Sequence, residues 1–156
     1  GWPTKEHALK MCQWLAEQGV VLIEQPMPKY MNEEHAWLCE RVELPIIADE
    51  ACQTYADVAG LQPYYDGINI KLMKCGGVTE ARKMIALARE LGMQVMIGCM
   101  TETSAGISAA AMLSPLVDYA DLDGHVLLAN DPYEGIQLVD GKLTLVNKPG
   151  TGVTPL

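Results

Sequence analysis

Glu24, Asp49, Lys71, Glu102, Asp121 and Asp123 are the residues of this 156-residue chain whose types and spacing could do chemistry. Glu24, Asp49, Lys71 and Asp121 each directly follow a short apolar run, and Glu102 follows one after a brief turn. If the runs are neighbouring parallel strands, they lie about 4.8 Å apart. Glu24 and Asp49 then stand side by side, and two carboxylates that close repel unless something positive lies between them. A divalent cation fills that place, and oxygen-only ligation suits Mg²⁺. Lys71, one strand further on, would lie close to the ion. A neighbouring cation lowers a lysine's pKa, so that it can take a proton at neutral pH. A cation on a substrate carboxylate would also stabilise the ene-diolate formed there. Together these groups imply proton abstraction α to a carboxylate.

Each residue also has a plainer reading. An acidic residue after a buried strand can be a solvated loop residue or a helix N-cap. Glu102 fits either role. Lys74 reads as a turn residue or as a partner for a carboxylate. Asp121 and Asp123 share a face by strand alternation and could form a helix-cap pair or a cation-binding pair. His125 reads as structural, and Met96 and Met100 as core or pocket wall. Cys12, Cys39, Cys52, Cys75 and Cys99 show no metal or redox spacing and are expected as free, buried thiols in a reducing cytoplasm.

The elements that must position these groups alternate. Residues 4–18 carry apolar residues at helical spacing, closed by Gly19. Residues 20–23 read as a buried strand, 32–42 as a helix, 45–48 as a strand and 55–61 as a helix. A third strand over 67–70 is followed by a Gly76-Gly77 turn and a helix capped by Thr79 with Gly92 at its end. Residues 94–97 form the fourth strand, 104–113 an alanine-rich helix and 117–120 the fifth strand. The strands start 22 to 27 residues apart. Such alternation implies parallel strands joined by right-handed crossovers.

Two α/β architectures accommodate that order. The open nucleotide-binding sheet calls for a glycine-rich loop after an early strand, which this chain lacks. The closed barrel places functional groups at many strand ends, as here. The expected fold is therefore a partial (β/α)8 TIM-type barrel of about five units over residues 1–130. A C-terminal β-hairpin and tail follow over 131–156, turning at Asp140-Gly141. A full barrel takes about 250 residues, so the missing units are expected to precede Gly1. The absence of an initiator Met fits a start inside a longer protein. The net charge of −9 argues against nucleic acid or an anionic membrane surface as partner, and no apolar run reaches the roughly 20 residues of a membrane span.

Ile23-Glu24-Gln25-Pro26, Ala48-Asp49-Glu50, Asn69 to Gly77 and Gly98-Cys99-Met100 together resemble the enolase superfamily, in its muconate-lactonizing branch. Asp121-Leu122-Asp123-Gly124 is similar to the dipeptide epimerases of the L-Ala-D/L-Glu type. The resemblance covers nearly the whole chain. It implies Mg²⁺ as cofactor, with Glu24 and Asp49 as the second and third metal ligands. It implies Lys71 as the acid/base on one face of the substrate, and Glu50 and Lys74 as supports just behind the ligands. Asp121 and Asp123 would hold the dipeptide's α-ammonium, with Met100 and Glu102 completing the substrate-binding set. The implied reaction is epimerisation of a small dipeptide by removal and return of an α-proton, in a cytoplasmic homo-oligomer. The first metal ligand of the family, an Asp in a D-A-N-Q-like stretch, and its opposite-face lysine, in a K-x-K motif, are not in this sequence. Nor is the N-terminal capping domain. Alternatives are a muconate cycloisomerase, o-succinylbenzoate synthase or acid-sugar dehydratase type of enzyme, or a fragment inactive without its N-terminal part.

Overall fold

The structure, a computed structural model, describes residues 1–156. Helix α1 (Lys5–Glu17) opens the chain, capped by Thr4, whose side-chain oxygen accepts from the His7 N–H. Then come β1 (Ile23–Glu24), α2 (Asn32–Cys39), β2 (Ile46–Ala48), α3 (Tyr55–Leu61) and β3 (Gly67–Lys71). A single helical turn, α4 (Leu72–Cys75), separates β3 from α5 (Val78–Glu90), and β4 (Gln94–Gly98), α6 (Ser104–Ala111) and β5 (Tyr119–Ala120) complete the alternation. All five strands pair in parallel, in the order β1-β2-β3-β4-β5.

That order settles the architecture. A doubly wound sheet reverses its strand order at a switch point. Here each strand lies beside its predecessor with no reversal, so every right-handed crossover lays its helix on the same side. The sheet curls into part of a TIM-type barrel. On its convex face, Ile46, Ala48, Ile68, Ile70, Val95 and Ile97 pack with Met84, Ile85 and Ala88 of α5 in one core cluster. On the concave face the same strands present Glu24, Ile47, Asn69, Lys71 and Met96, the opposite set in the two-residue alternation.

The structure departs from the sequence expectation at several boundaries. Only Ile23–Glu24 of the first apolar run pairs as strand, and Val21 is 66% exposed. β1 is an edge strand, and its ladder to β2 begins only where Ile23 N–H donates to Pro45 O. The helix after the double glycine starts at Val78, so Gly77, not Thr79, is its N-cap. Gly76 and Gly77 have φ of 91° and 107°, a region open to glycine, and the backbone turns there without a side-chain cap. α2 stops at Cys39 rather than near Val42, and β5 is only two residues long.

Beyond β5, β6 (Tyr133–Glu134) pairs antiparallel with β9 (Thr154–Pro155). Between them β7 (Gln137–Val139) and β8 (Lys142–Thr144) form the expected hairpin, with Val139 opposite Lys142. Asp140 and Gly141 have φ of 50° and 73°, the two positive values that a type I′ turn requires. Ile136 is buried in the main core, which ties this segment to the barrel.

Acidic residues at the two ends of the strands do different work. Asp66, just before β3, accepts the Ile46 N–H at 2.8 Å, and Asp118, just before β5, accepts the Val95 N–H at 2.8 Å. These carboxylates satisfy backbone donors at the N-terminal rim. At the C-terminal rim, where barrels of this type carry their sites, Glu24 and Asp49 instead face side-chain donors.

Candidate active site

At the C-terminal rim Glu24, Asp49, Lys71 and Lys74 converge. Lys71 Nζ lies 2.8 Å from Asp49 Oδ2 and 3.9 Å from Glu24 Oε1. Its ammonium thus sits against the two carboxylates that the sequence placed side by side. Lys74, carried on the α4 turn, reaches back to Asp49 and donates to Oδ1 at 2.6 Å and to the backbone carbonyl at 2.8 Å. Of the two roles open to Lys74, the structure gives it that of carboxylate partner. Its side chain is 7% exposed, that of Asp49 13% and that of Lys71 14%, so these are desolvated contacts rather than surface pairs.

The electrostatics follow from this packing. Burial pushes the Asp49 carboxyl upward, but hydrogen bonds and charge from Lys71 and Lys74 outweigh it and leave its pKa lowered. Burial, with the Asp49 charge nearby, raises Glu24, although the Asn69 amide opposes the rise. Burial lowers Lys71, yet the hydrogen bond and charge of Asp49, with the charges of Glu24 and Glu50, raise it overall. The sequence argument expected a lowered lysine beside a cation. With the carboxylates facing the ammonium directly, Asp49 and Glu24 hold the Lys71 pKa above its ordinary value; a bound cation would act in the opposite direction.

Two side-chain amides that the sequence reasoning left without a role brace the carboxylates. Asn69 Nδ2 donates to Glu24 Oε1 at 2.5 Å. Gln25 Oε1 accepts from the N–H groups of Asp49 at 3.0 Å and Ala51 at 3.1 Å, joining the end of β1 to the end of β2. Gln25 Nε2 donates to Met27 O at 3.0 Å and to the Tyr65 hydroxyl at 2.9 Å, beside buried His35. Gln25 holds this pose at φ 37°, a left-handed backbone that costs a non-glycine residue. One signal for both was available. Asn69 is two residues before Lys71 and therefore on its face, and Gln25 directly follows Glu24.

The other candidates lie around this centre. Glu50 is exposed and makes no side-chain hydrogen bond with the carboxylates. It lines a cleft of about 580 Å³ with Gln25, Lys29, Tyr30 and Gln53. Asp121 and Asp123 are both exposed, with Leu122 between them buried, so the two carboxylates do share a face. They line a shallow cleft of about 170 Å³ with Cys99 and Met100. Asp123 precedes a 3₁₀ turn (Gly124–Leu127) but makes no side-chain cap bond to it. Glu102 turns back onto its own loop, where its Oε1 accepts the Met100 N–H at 3.1 Å.

No group of three or more His, Cys, Asp and Glu side chains stands close enough to hold a metal ion. Glu24 and Asp49 are a pair of hard-oxygen donors. Their negative charge is met by ammonium groups, and this donor chemistry suits Mg²⁺ as two ligands of a larger set.

The chain matches the enolase C-terminal domain-like family over residues 1–156. It is 54% identical over 153 residues to the L-Ala-D/L-Glu epimerase of Bacteroides thetaiotaomicron, covering 98% of this chain and 40% of that protein. It superimposes with a TM-score of 0.89 on a dipeptide epimerase of Enterococcus faecalis complexed with Mg and the dipeptide L-Leu-L-Tyr, at 38% identity, over 98% of this chain and 45% of that one. The substrate-liganded L-Ala-D/L-Glu epimerase of Bacillus subtilis gives the same TM-score at 31% identity, over 99% and 45%. The chain thus spans less than half the length of these relatives. Its parallel half-barrel, its rim of carboxylates and lysines and its full-length family match agree: the chain belongs to the enolase C-terminal domain-like family.

Proposed function

We propose that this chain supplies the lysine and two metal-holding carboxylates of a Mg²⁺-dependent dipeptide epimerase. The observation that carries this reading is the convergence of Glu24 and Asp49 on the Lys71 ammonium at the C-terminal rim. The relatives named as dipeptide epimerases, two of them solved with dipeptide or substrate bound, support the substrate class.

Glu24 and Asp49 would hold the ion. When bound, Mg²⁺ would supply positive charge beside the substrate carboxylate and draw carboxylate charge away from the neighbouring ammonium. Lys71 moves the proton on one face of the substrate α-carbon, as an amine when it removes the proton and as an ammonium when it returns it. Lys74 holds Asp49 at both its carboxylate and its carbonyl, so Lys71 can exchange its proton without losing the position of its partner. Asp121 and Asp123, on one face of a shallow cleft with Met100 at its wall, offer paired carboxylates to the dipeptide's free ammonium. That choice selects against substrates lacking a cationic end.

The test is exchange of the α-hydrogen. The intact protein, with Mg²⁺ in D₂O, should incorporate deuterium into L-Ala-L-Glu and similar dipeptides, followed by NMR or mass spectrometry. Chelation of the metal should stop the exchange, and Lys71→Ala should abolish it in at least one direction. No exchange across a broad dipeptide panel sinks the reading. Exchange with N-acylated substrates but not with free dipeptides would move it to another acid substrate.

A further inference from the structure

We propose that Asn69 and Gly98 form one unit that positions Glu24 for the metal, Asn69 as the arm and Gly98 as the space that admits it; this rests on the metal-holding reading of Glu24 above. Asn69 is 1% exposed on the concave face of β3. Its carboxamide reaches past β2 to donate to Glu24 on β1. Asn69 Oδ1 is buried with no hydrogen-bond partner. Burying an unpartnered carbonyl oxygen is costly, so an apolar side chain would suit this layer better if packing were its only demand. The carboxylate fixes which way the amide turns, because only the Nδ2 end can face it.

The neutral amide is also the chemically apt donor. It restrains a carboxylate oxygen without bringing a positive charge that would compete with a divalent cation, as a lysine or arginine would. Gly98 stands opposite Lys71 in the β3–β4 register. A β-carbon at position 98 would fall 2.6 Å from Asn69 Oδ1 and 2.7 Å from Nδ2, so any side chain there displaces the amide. Gly98 has no positive φ, so the demand for glycine is one of space rather than backbone freedom.

Mn²⁺ binding to the intact protein, read by the EPR signal of the free ion, tests this without relying on turnover. Asn69→Leu, which keeps most of the volume and loses the donor, should weaken binding about tenfold, with the melting temperature of the metal-free protein held or raised. Gly98→Ala should weaken it by a similar factor. In an Asn69→Ala background, where no amide remains to be displaced, Gly98→Ala should add less than about a twofold loss, since coupled residues are non-additive. Asn69→Leu binding within about twofold of the unsubstituted protein, or fully additive losses in the double variant, overturns the inference while leaving the metal reading intact. An unsubstituted protein that binds no Mn²⁺ refutes the metal reading and this inference with it. Asn69→Leu carries the test if Gly98→Ala fails to fold.

Discussion

Replacing Gln25 with Leu should loosen the join between the first two strand ends by a measurable amount. The carboxamide accepts from the N–H groups of Asp49 and Ala51 and donates to Met27 O and the Tyr65 hydroxyl, with a longer 3.4 Å contact to His35 Nε2. A neutral hydrogen bond contributes a net ~0.5–1.5 kcal/mol, and a partner left buried and unpaired costs more. Gln25 is half-buried, so water recovers part of the loss. Relief of a φ of 37° is not gained, because leucine would occupy the same backbone. The expected loss is ~3 kcal/mol of unfolding free energy, read by urea denaturation of the intact protein with tryptophan fluorescence. For a domain of this size that lowers the melting temperature by roughly 6–12 °C. Gln25→Glu keeps the acceptor for both N–H groups and should lose about half as much. Because Asp49 N–H is one of the partners, Mn²⁺ affinity should fall in Gln25→Leu as well. A loss below about 1 kcal/mol, no more than a single bond would contribute, refutes the claim that Gln25 latches the strand ends.

Lys74→Met should destabilise by ~3 kcal/mol, because it removes one of two ammonium partners from a desolvated carboxylate, and chemical denaturation reads the change. Asp121→Asn with Asp123→Asn should raise KM for dipeptides with a free amine at least tenfold, with kcat reduced less, in a steady-state epimerisation assay. Asp118 has its pKa held below the ordinary 3.8 by Arg89 and by the Val95 N–H, against a smaller effect of burial. A lowered carboxyl adds stability that is present above the ordinary value and is lost as pH falls through the lowered one. Asp118→Asn should therefore lower the melting temperature near neutrality, and the difference from the unsubstituted protein should close as pH falls below about 4, which flattens the acid limb of the profile.

The alternation of strands and helices was legible because both faces of each strand are covered, so the runs at Ile46–Ala48, Gly67–Ile70 and Gln94–Ile97 stand out as apolar blocks. The boundary errors fall where that condition fails. Val21 is apolar yet unpaired, because an edge strand ends where its neighbour does, and no local residue marks that point. Thr79 looks like a cap by type, but two positive-φ glycines make the turn before it. At the site, the carboxylates and Lys71 were legible as charged residues ending apolar runs. The direct pairing of Lys71 with Asp49 was not, since it depends on the 2.8 Å approach of two side chains from adjacent strand ends. Asn69 escaped notice because an amide inside an apolar run carries no charge to flag it. Gln25 escaped because its partners are spread from Met27 to Tyr65 and meet only in the fold.

Core and site are interleaved along the same strands, and this makes the chemistry a matter of parity. In β3, even positions build the hydrophobic layer and odd positions carry Asn69 and Lys71. Inserting or deleting one residue in this strand would exchange the two sets, turning isoleucines to the cleft and a lysine and an amide into the core. An error of two residues would preserve the alternation and merely shift the rim by one layer. Single-residue length changes within β3 are therefore forbidden by folding before they can be tested by function, whereas the exposed hairpin turn at Asp140-Gly141 is free of that coupling. The protein can vary its length at its loops, but at its strands it can change only in steps of two.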